Sequence, residues 1–205
     1  LYSQVERMQK DAPIGYEAKL RNAKLSYYKG EFKLAQEHLD ILKQATTREI
    51  ANDAMELSMR INENIALDSV GEALKIYALA ELDLVQNNIQ SAITRLQQIQ
   101  SEFPSHTLKD DVYWLEANLE MKRGNFDQSI SLLQKILDEF GEDILADDAY
   151  FLQADIYHHQ LKNKEKAQEM YREFLSKYPG SVYVAEARKR FRELRGDFVA
   201  VPINH

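Results

Sequence analysis

The chain has 205 residues, 44% of them hydrophobic and 29% charged, with seven glycines, four prolines and no cysteine. A net charge of −7 excludes a general nucleic-acid binder, which needs a basic face to neutralise phosphates, and the lack of cysteine excludes disulfides, thiolate metal sites and thiol nucleophiles. No apolar run is long enough to cross a membrane, and the abundance of Leu, Ala, Glu, Lys and Gln favours an all-helical fold.

In chain order, Leu1, Val5 and Met8 share one helical face ahead of Pro13. The same spacing recurs at Ala35, Leu39 and Leu42, and again at Ala92, Leu96 and Ile99 with Pro104 closing the run. Leu1 and Ala35 stand 34 residues apart, so the first ten residues read as the second helix of a hairpin whose first helix lies upstream. With no initiator Met and no signal peptide at Leu1, the chain is expected to be a C-terminal fragment of a longer protein. Residues 16–29 form the next helix, with a small residue at Ala23 and a stop at Gly30; its partner runs over about 32–44.

Residues 48–65 predict a further helix, whose IANDAM echoes the LADDAY that opens a later hairpin. A joint with Asp68 or Ser69 as N-cap follows, then a first-type helix at 73–86 with Ala80 in the small slot. From Val112 the same hairpin is written twice, VYWLEANLEMKRGNFDQSISLLQKILDEFG and then AYFLQADIYHHQLKNKEKAQEMYREFLSKYP. Hairpins are therefore expected at about 16–45, 73–103, 110–140 and 147–178, with no sheet. A last helix at 181–194, with the basic residues Arg188, Lys189, Arg190, Arg192 and Arg195, reads as a polar cap.

The small-slot alanines Ala80, Ala117 and Ala154 stand 37 residues apart in turn, and Ala154 and Ala187 stand 33 apart. Ala23 and Ala80 are 57 apart, one repeat plus one additional helix. That odd helix predicts two blocks meeting near residues 66–72. The expected organisation is 1–66 (the end of an upstream repeat, one hairpin and a lone closing helix), 67–195 (three hairpins and a capping helix) and an irregular tail at 196–205.

These residues resemble the tetratricopeptide repeats. The likeness is carried by Ala23, Ala80, Ala117 and Ala154, by Gly30 and Gly124 with Phe32 and Phe126 behind them, by the second-helix starts Ala35, Ala92 and Ala167, and by the closing Pro13, Pro104 and Pro179. Asn87-Asn88 departs from the pattern in place of the turn glycine, as do Ser129 in place of the second-helix alanine and Gly141 in place of the closing proline. One extra turn residue lies in 161–166. The long spacing with SEFPSH and SKYPGSVYVAEAR is similar to bacterial tetratricopeptide proteins, including cell-envelope assembly scaffolds. The resemblance implies a right-handed α-solenoid of hairpins whose first helices line a concave groove, a role in holding other proteins, and no catalytic residues. The envelope or periplasm, with the cytoplasm as the other address, is what it implies for location.

Chemistry-bearing clusters are few. Asp138, Glu139, Glu142, Asp143, Asp147 and Asp148 crowd one connection without the spacing of a calcium loop, and acidic residues suit a helix entrance. Asp155 and His158 stand one turn apart, but no third ligand is identifiable, so no metal is expected. Hydrolase elbows and phosphate loops are missing, which points away from an enzyme and from any cofactor.

Two bulky rows precede the alanines. Leu20, Tyr77, Trp114, Phe151 and Val184 lie three residues before; Lys19, Ile76, Tyr113, Tyr150 and Tyr183 lie four before. They pack between repeats or, for Tyr77, Trp114 and Phe151, form a groove floor. One residue after the alanines come Lys24, Glu81, Asn118, Asp155 and Arg188; four after come Tyr27, Leu84, Met121, His158 and Phe191. The groove expected to take a protein or peptide partner is thus Tyr77, Glu81, Leu84, Trp114, Asn118, Met121, Phe151, Asp155, His158 and Arg188, a mixed polar and aromatic surface of the kind found at interfaces. The rival readings are a structural segment of a larger envelope protein, its groove filled by its own parent chain or by a second copy of itself, and a metal-dependent enzyme centred on Asp155 and His158.

Overall fold

The structure is a computed structural model that describes residues 2, 4, 8, 12–45, 47–65 and 71–197. Among the described residues it is all-α. The helices are α1 (Pro13–Tyr28), α2 (Phe32–Ala45), α3 (Arg48–Ile65), α4 (Glu72–Val85), α5 (Ile89–Glu102), α6 (Lys109–Lys122) and α7 (Phe126–Glu139). Then come α8 (Leu145–Asp155) running into a π turn (Ile156–Gln160), α9 (Lys164–Lys177) and α10 (Val184–Arg195). The four expected hairpins are α1–α2, α4–α5, α6–α7 and α8–α9, with α3 the odd helix and α10 the last. Residues 2, 4 and 8 apart, the segment 1–10 read as a helix lies outside the described residues, as do the caps Asp68 and Ser69 and most of the tail.

Why the alanines recur is plain from burial. Ala23, Ala80, Ala117, Ala154 and Ala187 are each 0% exposed, as are Ala35, Ala92 and Ala167 in the second helices. A methyl group at these places lets two helix backbones approach, and any larger side chain would hold them apart. Ser129 takes the equivalent place in α7 and is also 0% exposed, with a hydroxyl that has no hydrogen-bond partner.

The turns between paired helices share one solution. Glu31, Asn88 and Asn125 donate backbone N–H bonds to the carbonyls of Ser26, Asp83 and Glu120, and Gly30, Asn87 and Gly124 to those of Tyr27, Leu84 and Met121. That is the Schellman motif, with a left-handed residue at its hinge: Gly30 (φ 75°), Asn87 (φ 62°) and Gly124 (φ 81°). Asn87 replaces glycine because asparagine tolerates this conformation better than other side chains. In the α8–α9 turn the left-handed residue is Lys162 (φ 55°), and Asn163 donates to the carbonyl of Tyr157. The extra residue seen in the sequence is absorbed upstream, as the π turn that ends α8.

The chain divides into two compact units, residues 1–112 and 113–205. The break in packing expected near 66–72 falls mostly on residues 66–70, outside the described residues; the boundary between the two compact units lies inside α6. In the first unit, α2 packs on α1 and α3, α5 packs on α4, and α4 also meets α1. There Leu39, Leu42, Ile61, Leu74, Leu96 and Ile99 are fully buried. In the second unit one cluster joins Tyr113 and Ala117 to Leu132, Leu133, Ile136 and Ala149. Another joins Phe151 and Ala154 to Met170, Tyr171, Phe174 and Ala187.

Candidate functional site

In the second unit, the first-type helices α8 and α10 face each other at a fixed offset. The Tyr183 hydroxyl donates to Asp148 at 2.7 Å, and Arg190 pairs with Asp155, both across 35 residues of sequence. The hydrogen bond to Asp148 pushes the Tyr183 phenol up to about 12, and burial raises Asp148. Between the two polar contacts, the rings of Phe151 and Tyr183 stack with centroids 4.5 Å apart, and the Arg190 guanidinium lies over Phe151 at 5.0 Å. Arg190 also donates to Glu186 at 2.8 Å and to the Tyr171 hydroxyl at 3.1 Å. Arg190 sits in a run of basic residues, where nothing in the sequence marks one of them as buried.

The first unit holds a denser charged cluster around Arg60 of the odd helix. Its guanidinium reaches Glu81 at 3.2 Å, Glu56 at 3.2 Å and Asp111 at 3.8 Å, and lies 5.7 Å from the centre of the Tyr77 ring. One turn on, Asn64 accepts from the Thr107 hydroxyl at 2.6 Å, so α3 is fastened at two levels. Burial raises Glu81 above the usual carboxylate range. Burial also pushes Asp111 up to about 6; Arg60 opposes that shift, and Asp110, Glu81 and Glu63 add to it. Burial alone would lower Arg60, but Tyr77, Glu81 and Asp111 outweigh it and the group is raised. Arg60 was missed because α3 falls outside the aligned rows.

A cavity of about 190 Å³ opens beside this cluster, lined by Lys24, Tyr27 and Tyr28 of α1, Asp53, Glu56, Leu57 and Arg60 of α3, and Glu81 of α4. Lys24 and Asp53 form an ion pair at its rim, 3.4 Å long and about half exposed. Tyr27 is 1% exposed, and burial together with the neighbouring Glu81 raises its phenol well above the usual value.

The residues expected to form a groove divide into two sets. Tyr77 (3% exposed) and Phe151 (9%) are core side chains, and this corrects their assignment as groove floor. A residue three positions before a buried alanine shares its helical face, so the row is buried with the alanines. Trp114 of the same row is half-buried, resting on the cluster of Tyr113, Ala117 and Leu132, as does Met121. Glu81 and Asp155 are half-buried and turned to Arg60 and Arg190, while Asn118 donates to the Trp114 carbonyl at 2.8 Å. Most of the row expected to read a partner's polar groups therefore braces its own chain. Leu84 and His158 are half-buried, and Arg188 is exposed.

Asp155 and His158 do not converge as metal ligands. The histidine nearest Asp155 is His159, at 3.4 Å, and Arg190 already holds the carboxylate. His158 stacks on His159 at 4.0 Å and is held below its usual value by burial and by that neighbour. Among the described residues no group of three or more potential ligands comes together, and no helix is long and apolar enough to cross a membrane.

A family model described as tetratricopeptide repeat protein 21 ARM repeat matches residues 16–174, from the first turn of α1 into α9. No curated protein matches the chain.

Proposed function

We infer the function from one premise: the chain belongs to the tetratricopeptide repeat protein 21 ARM-repeat family. It is a non-enzymatic scaffold that holds a segment of another protein against its first-type helices. The observation that carries this reading is the pair Trp114 and Met121. Both rest on the buried core of the second unit and keep part of their surface open to solvent. Apolar anchors fixed from below in this way bind without a further ordering cost. His158 and Arg188 supply polar contacts within the same unit. In the first unit, Glu81 and Leu84 lie on the face of α4 that the sequence assigned to partners.

The test is a display selection of random peptides against the chain, followed by affinity and denaturation measurements on Trp114→Ala. Loss of an aromatic anchor of ~2 kcal/mol weakens the selected peptides about thirtyfold, while the denaturation midpoint moves little. Failure to enrich any peptide overturns the reading. So does a loss of binding that merely follows a destabilisation of ~3–5 kcal/mol, the cost of emptying a core site.

A further inference from the structure

We propose that the uncovered face of α3, where Met55 and Met59 stand between Asn52 and Asn62, is the docking surface for one amphipathic helix of a partner protein, apolar along its seam and basic along one edge. The proposal goes beyond the scaffold reading above, whose anchors lie on α6, and stands or falls apart from it. Three observations support it.

The first is the place of α3 in the repeat. Its IANDAM aligns with the LADDAY of α8, so Ala54 matches Ala149, Ser58 matches Gln153 and Ile61 matches Ile156. All six are buried. Ser58 and Gln153 each meet the preceding second-type helix: Ser58 accepts a hydrogen bond from Gln36 of α2, and Gln153 donates to Gln134 and to the Ile130 carbonyl of α7. In the same register Met55 matches Tyr150 and Met59 matches Ala154. In α8 those two places are closed by the helix that follows. Tyr150 meets the rings of Phe174 in α9 and of Tyr178 just past its end, its hydroxyl donates to Glu173, and Ala154 is 0% exposed. After α3 comes α4, another first-type helix, which pairs with Arg60, about 100° around α3 from Met59. Met55 is 45% exposed and Met59 52%. The element that closes this face in the neighbouring repeat is a helix, and a helix is what fits it here.

The second is spacing. Asn52, Met55, Met59 and Asn62 are all exposed and follow one another at intervals of three, four and three residues, the spacing of a seam between two helices. Methionine adapts its shape to an apolar partner, and asparagine at a seam position fixes the register of the pair.

The third is charge. Glu49, Glu56 and Glu63 recur every seven residues along one edge of that seam, and all three are exposed. Flanking places of this kind select the partner helix by its charge. Of the two arginines of α3, Arg60 pairs with Glu56 but is turned away to Glu81 and Asp111, and Arg48 stands at the first residue of the helix. A basic edge laid beside Glu49 and Glu63 meets opposite charges; an acidic one meets like charges.

The experiment reads the methyl groups of the five methionines by NMR in the isotope-labelled chain. The probe is a capped peptide with leucine at the seam positions of a helix and lysine elsewhere, and the control carries glutamate in place of every lysine. Saturable shifts of the Met55 and Met59 methyls are expected with the lysine peptide and not with the glutamate peptide, while the buried Met170 stays unmoved. Met59→Lys should abolish the shift at Met55 with the denaturation midpoint unchanged. If that variant perturbs the fold, Met55→Lys read at Met59 makes the same test. Glu49→Lys combined with Glu63→Lys should weaken binding about tenfold. An equal response to the glutamate peptide, or no shift at saturating lysine peptide, overturns the proposal. So do shifts at Met55 and Met59 on concentrating the chain alone, with a dimer in sedimentation, because a second copy then covers the face. Shifts at Met121 in place of Met55 and Met59 overturn it too and leave the scaffold reading intact. The scaffold reading fails separately, when display selection yields no peptide that depends on Trp114, and that failure leaves the shifts at Met55 and Met59 untouched.

Discussion

Arg60 is the residue whose removal reveals most about the first unit, because it offsets Glu56, Glu81 and Asp111 together in a partly buried place. Arg60→Met keeps much of the apolar stem and deletes the charge. Glu81 and Asp111, whose side chains are 24% and 25% exposed, are then left facing each other's charge with no cation between them. Breaking a buried pair from one side costs ~3–5 kcal/mol, and the residual exposure here places the loss near the lower end, ~3 kcal/mol at pH 8. The cost is tied to ionisation, so it depends on pH. Asp111 already stands at about 6 against an ordinary 3.8. A carboxyl raised in the folded state favours folding below its unfolded value, and that advantage is lost as pH rises through the folded one. Without Arg60, both carboxyls are pushed further up. At pH 5 Asp111 is protonated, so the variant should lose less, down to ~1 kcal/mol, about the worth of the contact with the Tyr77 ring. Urea denaturation followed by circular dichroism at pH 5 and pH 8 measures both numbers. A destabilisation that is the same at the two pH values would refute the argument, since the carboxylates would then not be the source of the cost.

Five further single substitutions have outcomes set by local geometry. Ser129→Ala should stabilise the chain by ~1 kcal/mol, because it removes a buried hydroxyl with no partner; a loss of stability in thermal melts counts against the assignment. Lys162→Gly should also stabilise, by up to ~1 kcal/mol, since Lys162 holds φ 55° in its turn, whereas Gly124→Ala at φ 81° should cost about as much. Phe151→Ala should cost ~3–5 kcal/mol in urea denaturation, because it empties the stack between α8 and α10. Arg190→Ala should destabilise the second unit by ~2 kcal/mol, leaving Asp155 half-buried without its guanidinium, and Asp155→Asn in the same background should restore part of that loss.

The repeat was legible because its grammar is written in small residues and turns. Ala117 and Ala154 fixed two first-type helices by spacing alone, and Asn87 could be placed at a turn because few other residues accept a left-handed backbone. The extra residue of the α8–α9 turn was also visible, but not its resting place. A helix can take up one residue as a π turn before it ends, and nothing in IYHHQ distinguishes that from an ordinary last turn. Gly141 shows the same limit. It stands where other hairpins carry proline, and a Cβ there would meet the Leu137 carbonyl at 2.7 Å, a collision set by the path of the backbone and not by the pattern of residues.

The site was less legible than the fold, for a reason of rotation. Residues one place after each alanine lie about 100° around the helix from the buried stripe, at the edge of the face that meets the neighbouring first-type helix. A side chain at that edge can turn outward to a partner or sideways to its neighbour, and sequence alone does not choose. The choice is made by what the neighbour presents. Asp53 stands opposite Lys24, Arg60 opposite Glu81 and Arg190 opposite Asp155, and each of these turns a reading position into a brace. Asn118 donates to the Trp114 carbonyl on its own helix, and beside it Trp114 and Met121 keep part of their surface in solvent. On the scaffold reading proposed above, a partner would bear on Trp114 and Met121, which the core of the second unit holds from below.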